Sequence, residues 1–156
     1  MAVTVTIEGM DELKKKFAQL SDKQQRGVLR TAIRAGANLV VREARKLAPE
    51  QSGALRKGIK AKVSVKQGGA TVAKIGWDNK IAPHGHLVEM GHVMVVGKRG
   101  GKQRTVGHVP AHPFLRPALL DHQQEIVDIV GKNFKKHIDK VAAGNAAAAV
   151  EVAEAA

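Results

Sequence analysis

Apolar residues along the chain recur with two periods, and the change from one to the other marks its elements. Val3, Val5 and Ile7 alternate with polar neighbours, which predicts a half-buried strand from Ala2 to Glu8, ended by Gly9. Met10, Leu13, Phe17 and Leu20 then fall three and four apart with Lys14, Lys15 and Lys16 facing away, the spacing of a short amphipathic helix. Ser21 or Asp22 is a suitable N-cap for a second, longer helix that continues to about Leu47 and is stopped by Ala48-Pro49. At 100° per residue, Leu29, Ala32, Ile33, Gly36, Val40 and Leu47 share one broad arc of that helix, while Arg26, Arg30, Arg34 and Arg45 share another. One face is therefore expected in the core and the other is a basic ridge. Gly36 and its alanine neighbours predict a close helix contact.

Ser52 to Ile59 reads as a turn followed by a short helical or extended piece. Ile59, Ala61, Val63 and Val65 alternate with Lys60, Lys62, Ser64 and Lys66, and after Gln67-Gly68-Gly69 the stretch Thr71 to Trp77 returns, which predicts an antiparallel hairpin. His84 to His92 suits a short helical turn closed by Gly91, and Val93 to Val96 a brief apolar strand. Gly97 to Thr105 is basic and glycine-rich, the composition of a loop that stays mobile until it meets a partner. Gly107-His108-Val109 leads into Pro110-Ala111-His112-Pro113-Phe114-Leu115-Arg116-Pro117-Ala118-Leu119-Leu120, a stiff elbow. Pro110 and Pro113 hold it extended, and Pro117 suits the first turn of a helix because its missing N–H is not needed there. Ile126, Val127, Val130, Phe134, Ile138 and Val141 carry that helix onward, and the alanine-rich Ala142 to Ala156 either extends it or frays.

A chain of 156 residues suffices for one modest core, here expected as a single domain over residues 1–141 with residues 142–156 as a tail. Three Phe, one Trp and no Tyr leave the core to Val, Ile, Leu and Ala and make base-stacking platforms an unsuitable reading. With no cysteine, disulfides, thiol catalysis and Cys-based zinc sites are excluded. No apolar run reaches the length of a membrane span and the start has no apolar signal stretch, so a soluble protein made in a cytoplasm is expected. The largest departure from average is charge: 26 Lys and Arg against 14 Asp and Glu, a net +12. Such a balance asks for acidic partners, either nucleic acid, through phosphate neutralisation, or the acidic surfaces of neighbouring proteins.

Candidate chemistry is sparse. His84, His86, His92, His108 and His112 cluster in sequence, yet their spacing matches no zinc signature, and an inter-subunit contact suits them better than a metal. Glu89 sits between Val88 and Met90 with no second carboxylate or nucleophile in reach of sequence logic. A structural ion pair or backbone hydrogen bond, with Arg116 or Arg56 as candidate partners, is expected of it rather than acid–base work. The 97–107 segment lacks the Gly-x4-Gly-Lys-Ser/Thr pattern of a nucleotide loop. No enzyme, cofactor or metal is expected.

Three signatures occur in order: Ala48-Pro49 with Ser52-Gly53-Ala54-Leu55-Arg56-Lys57-Gly58-Ile59, then His86-Leu87-Val88-Glu89-Met90-Gly91-His92, then Pro110 to Leu119. Together, from about residue 28 to 140, they resemble the head-tail joining or tail-completion proteins of tailed phages with long non-contractile tails and of prophages. Pro49, Gly53, Leu55, Glu89, Gly91, Pro110, His112, Pro113, Phe114, Leu115, Arg116 and Pro117 carry the match as structural positions. His86, where an aromatic is common, and His92, where a Thr is common, depart from it. The resemblance implies an α+β fold, with a small antiparallel sheet packed against a long central helix and a long C-terminal helix. It also implies a non-catalytic virion protein, assembled in the host cytoplasm, that forms a ring, commonly of six, at the neck or head-proximal end of the tail. Neighbouring head-closure, tail-terminator or tail-tube subunits are then its partners. Arg26, Arg30, Arg34, Arg45, Lys98, Arg99, Lys102 and Arg104 are the expected assembly contacts. The alternative is a nucleic-acid-binding protein using the same ridge and loop, with non-specific contact to DNA in the ring's lumen as an overlap of the two.

Overall fold

The computed structural model describes residues 10–50, 53–67, 69–97, 101 and 104–154. The strand expected over Ala2 to Glu8 and the side chains of Lys98, Arg99 and Lys102 lie outside the described residues. The fold is α+β: α1 (Met10–Ala18), α2 (Asp22–Leu47), α3 (Ala54–Gly58), β1 (Ile59–Val65), β2 (Thr71–Trp77), α4 (Gly85–Met90), β3 (His92–Val96), β4 (Arg104–Val109), α5 (Leu115–Leu120) and α6 (Gln123–Glu154). Among the described residues the strands form two two-stranded sheets, β1-β2 and β3-β4. In the first, Lys66 N–H donates to Ala70 O at the turn and Asp78 N–H to Gly58 O at the open end, which makes the pair antiparallel.

By compactness the chain divides into two units, one comprising Met1–Leu39, Lys62–Lys74 and Gln123–Ala156, the other Val40–Ala61 and Ile75–His122. In the first unit, Leu13, Leu20, Val28 and Ile138 form a buried cluster joined by Phe17, Phe134 and Val141. The rings of Phe17 and Phe134 are 5.3 Å apart and tilted by 48°. Gly36 marks the close contact its sequence predicts: a Cβ there would lie 2.6 Å from Val130 Cγ2 and 3.2 Å from Ile126 Cγ2 of α6. Ser21 and Gln24 supply one half of a capping box, Gln24 Oε1 accepting Ser21 N–H at 3.0 Å. Gln25 Nε2 donates to Phe17 O in the last turn of α1 and to Leu20 O just beyond it. The turn between α1 and α2 is thereby fixed from both sides.

The second unit is built on the C-terminal part of α2, where Val40, Val41 and Ala44 are buried, with Ala48, Leu55, Ile59, Ala82, Phe114 and Ala118 also below the surface. Arg45 Nη2 donates to Ile59 O at 2.8 Å and Arg56 Nε to Ala48 O at 2.9 Å; Arg56 also pairs with Glu50. These bonds tie the end of α2, after Leu47 and before Pro49, to α3 and the start of β1.

Several expectations change in detail. On α2 it is Val28 that is buried, whereas Leu29 is half-buried and Leu47, on the last turn, is 42% exposed. The final helix is two helices, because the chain turns at Asp121-His122 between α5 and α6; Asp121 N–H closes α5 onto Pro117 O. The loop expected to run to Thr105 ends at Arg104, where β4 begins. The alanine-rich tail continues α6 to Glu154.

Candidate functional site

The elbow and the Glu89 motif form one structure. A helix leaves its first N–H groups without intrahelical acceptors, and α5 is only six residues long, so those donors are a large share of its bonds. Glu89, on α4, supplies the acceptors: Oε2 takes Phe114 N–H at 2.8 Å and Leu115 N–H at 3.1 Å, and Oε1 takes Arg116 N–H at 3.1 Å. The next residue is Pro117, which has no N–H to satisfy. A single carboxylate therefore completes the first turn of α5, and the backbone form of the Glu89–Arg116 bond is the one realised. Alongside, His112 N–H donates to Val88 O at 2.8 Å.

Two glycines make room for this clamp. Gly91 closes α4 with φ 71°, and a Cβ on it would stand 2.7 Å from both Val109 O and Ala111 N. Only glycine lets the chain leaving α4 pass that close to the chain arriving at the elbow. At the other end of α4, a Cβ on Gly85 would lie 2.6 Å from the Trp77 indole. Trp77 in turn meets Phe114, fully buried, with centroids 5.9 Å apart at 57°. The aromatic pair and the Glu89 bonds thus fix the same residue, Phe114, by its ring and by its backbone.

What the clamp holds is the β3–β4 hairpin. Its first pair is His92 with Val109, directly beyond Gly91 and before Pro110, and the register continues Val93–His108, Met94–Gly107, Val95–Thr105 and Val96–Arg104, with an irregularity between Met94 and Val95. Side chains alternate across a strand, so Val93 and Val95 share one face and Met94 and Val96 the other. Both faces are open: these four are 52, 55, 43 and 56% exposed, and Val106 of β4 is 47% exposed. Sequence reading found the strand without finding that its side chains are exposed among the described residues. Gly107 hides β4 from a strand pattern because it reads as a breaker, whereas here it lies under Met94, whose Cε would be 2.8 Å from a Cβ at that position.

The predicted contact arginines separate. Arg26, Arg30 and Arg34 are exposed, and Gly27, Arg30, Thr31 and Arg34 line an open depression of about 330 Å³. Arg45 is exposed but bonded to Ile59 O, and Arg104 is exposed at the first position of β4. Of the clustered histidines, His84, His86, His108 and His112 are exposed and His92 is half-buried with Nδ1 unbonded. Among the described residues no group of three or more His, Asp or Glu could hold a metal ion.

A carboxylate that sequence reading passed over is the most perturbed one. Glu43 is buried on α2, and the Lys46 ammonium at 2.8 Å with the Arg42 guanidinium at 2.9 Å holds its carboxyl at about 2, below the ordinary 4.5. Its signal was the Arg42-Glu43-x-x-Lys46 spacing, which puts Lys46 on the next turn. Asp78 is also shifted down, by the bond from Lys60 Nζ at 2.6 Å and by Lys80 N–H. Both groups brace the scaffold.

No curated protein and no solved structure matches the chain. A family model does, over residues 11–91, just over half of the sequence, from α1 through α4 to Gly91; its description is "Bacteriophage HK97-gp10, putative tail-component". That span contains Glu89 and the glycines on either side of it, and the chain therefore belongs to the HK97-gp10-like family of bacteriophage tail components.

Proposed function

We propose that this tail component is a non-catalytic structural subunit that assembles as a closed ring at the neck or head-proximal end of the tail, completing the tail and joining it to the head. The observation that carries the reading is the β3–β4 hairpin, apolar and exposed on both faces and anchored at its base by the Glu89 clamp. A two-stranded hairpin is marginal in water by itself, and a contiguous exposed apolar surface marks a contact with another molecule. The predicted neighbours are head-closure, tail-terminator or tail-tube subunits, and a six-fold ring is the stoichiometry that the family resemblance suggests. Electron cryomicroscopy of assembled particles is the test: density for this chain in a ring with cyclic symmetry at the head-proximal end supports the reading. A strictly monomeric protein that is missing from purified particles refutes it.

A second reading has its own observation, the exposed Arg26, Arg30 and Arg34 stripe along α2. If the three side chains neutralise three phosphates of duplex DNA, the logarithm of affinity falls against the logarithm of salt with a slope near −2.7, about −0.9 per contact. Replacing all three by Gln must then flatten the slope; an unchanged slope rejects DNA as the partner of the stripe.

A further inference from the structure

The exposed hairpin has one edge on β3 and one on β4, both unpaired among the described residues, so it offers backbone groups as well as side chains. Its distal end is cationic: Arg104 is exposed opposite Val96. Two such hairpins meeting face to face about a two-fold axis in the tip-to-tip sense would place like charges together, which disfavours that pairing. A different surface of the same chain has the complementary character. At the end of α5, Leu119 and Leu120 are 48 and 51% exposed, and they are followed at once by exposed Asp121.

We infer that the β3–β4 hairpin of one copy docks on the Leu119-Leu120-Asp121 surface of the next copy, Val93 and Val95 or Met94 and Val96 covering the leucines and Arg104 facing Asp121. This rests on the ring reading above and specifies the contact that would build it. The two surfaces are different patches, so the contact is head-to-tail, and head-to-tail contacts close into rings where the rotation allows. The geometry also explains the clamp. Glu89 binds the backbone at the N-terminus of α5, whose other end carries the leucines, and the hairpin springs from the same clamp. The donor and acceptor surfaces of each subunit are therefore held in a fixed relation within one unit, and a fixed relation is what gives each step around a ring the same rotation.

Crosslinking tests the contact directly, because the chain has no cysteine of its own. Val95→Cys or Val96→Cys proteins, one for each hairpin face, and Leu119→Cys protein, purified separately and checked by circular dichroism for an unchanged melting curve, are mixed and oxidised. The expected result is a disulfide dimer in the mixture, none in either protein alone, and a ladder of higher species for the double variant. A second arm reverses charge. Arg104→Glu and Asp121→Arg each weaken self-association about tenfold, and the combined variant recovers it, as complementary rim charges require. Efficient crosslinking of Val95→Cys alone overturns the inference in favour of a two-fold hairpin contact. Rings that persist with no crosslink to Leu119→Cys from either Val95→Cys or Val96→Cys overturn it while leaving the ring reading intact. A protein that stays monomeric alone and associates only with another, acidic tail protein also overturns it. Absence of any ring from the particle instead removes the reading on which it rests.

Discussion

Glu89 shows how much of this architecture hangs on single side chains. Its two oxygens serve three N–H groups of a six-residue helix that is 25 to 27 residues further along the chain. Removing them in Glu89→Ala leaves three donors, two of them part-buried, without these acceptors, a loss of about 2 kcal/mol by the usual scale for charged acceptors. For a domain of this length that lowers the melting temperature by roughly 4–8 °C, measurable by calorimetry, whereas Glu89→Gln, which keeps one acceptor oxygen, falls between. A melting point unchanged in both variants would remove the clamp as a structural device. Glu43 works differently, through charge. Its carboxyl is held at about 2 in the folded chain, against 4.5 ordinarily, by Lys46 and then Arg42. A depressed folded value means that the group contributes stability that is fully present above about pH 4.5 and disappears as the pH falls toward 2. Urea unfolding of the wild type and of Glu43→Gln should therefore show a stability gap at pH 7 that persists to about pH 5 and closes by about pH 2. Asp78, shifted in the same direction by Lys60, adds to the acid sensitivity of the wild type over the lower part of that range. A gap that widens on acidification would contradict the assignment.

At the scale of elements, the hairpin separates folding from assembly. Val93→Thr with Val95→Thr keeps β-branched side chains at both positions, so strand propensity and the register are retained, and exposed substitutions of this kind change stability by less than about 0.5 kcal/mol each. The melting curve should stay in place while oligomer formation, followed by light scattering, falls for this pair or for Met94→Thr with Val96→Thr on the other face; loss of the folded state would show instead that these side chains belong to the core. The same distinction explains what the sequence could and could not show. β1 was legible because Ile59 to Val65 alternates buried or half-buried apolar positions with lysines and a serine, and β2, half-buried at every position but Lys74, because it returns after a glycine turn. α2 was legible because Ser21 begins it and Pro49 follows it. β4 was not, since Gly107 interrupts its pattern to accommodate Met94 from the opposite strand. The break at Asp121-His122 was hidden too, because neither residue is a helix breaker and the apolar spacing runs on across it. Of the candidate site, Glu89, Gly91 and Phe114 stood out by type and order. That one carboxylate joins α4 to α5 is a fact of tertiary contact, invisible to any local window. So is the exposure of Val93 to Val96, which read only as apolar.

For the whole molecule the deciding quantity is the net charge of +12. Copies brought together in a ring repel one another, yet the surfaces inferred to meet are mainly Val, Met and Leu, with charge at the rim. These two contributions respond to salt in opposite ways. Screening at 0.1 M reduces interactions between exposed charges more than about 10 Å apart, which relieves most of the repulsion between subunits. The rim pair of Arg104 and Asp121 is weakened as well, but an exposed pair is worth only about 0–1 kcal/mol. The apolar contact is not screened, and salts excluded from the surface strengthen it. Self-association should accordingly increase as sodium chloride is raised from about 20 to 300 mM, a range over which the Debye length falls from more than 20 Å to less than 10 Å. Binding of the Arg26, Arg30 and Arg34 stripe to any polyanion must weaken over the same range. Sedimentation velocity across that series reads the sign. A mass that grows with salt identifies an apolar contact between like-charged copies. A mass that shrinks means that attraction between opposite charges dominates the contact, and the hairpin valines are then not its main source of affinity.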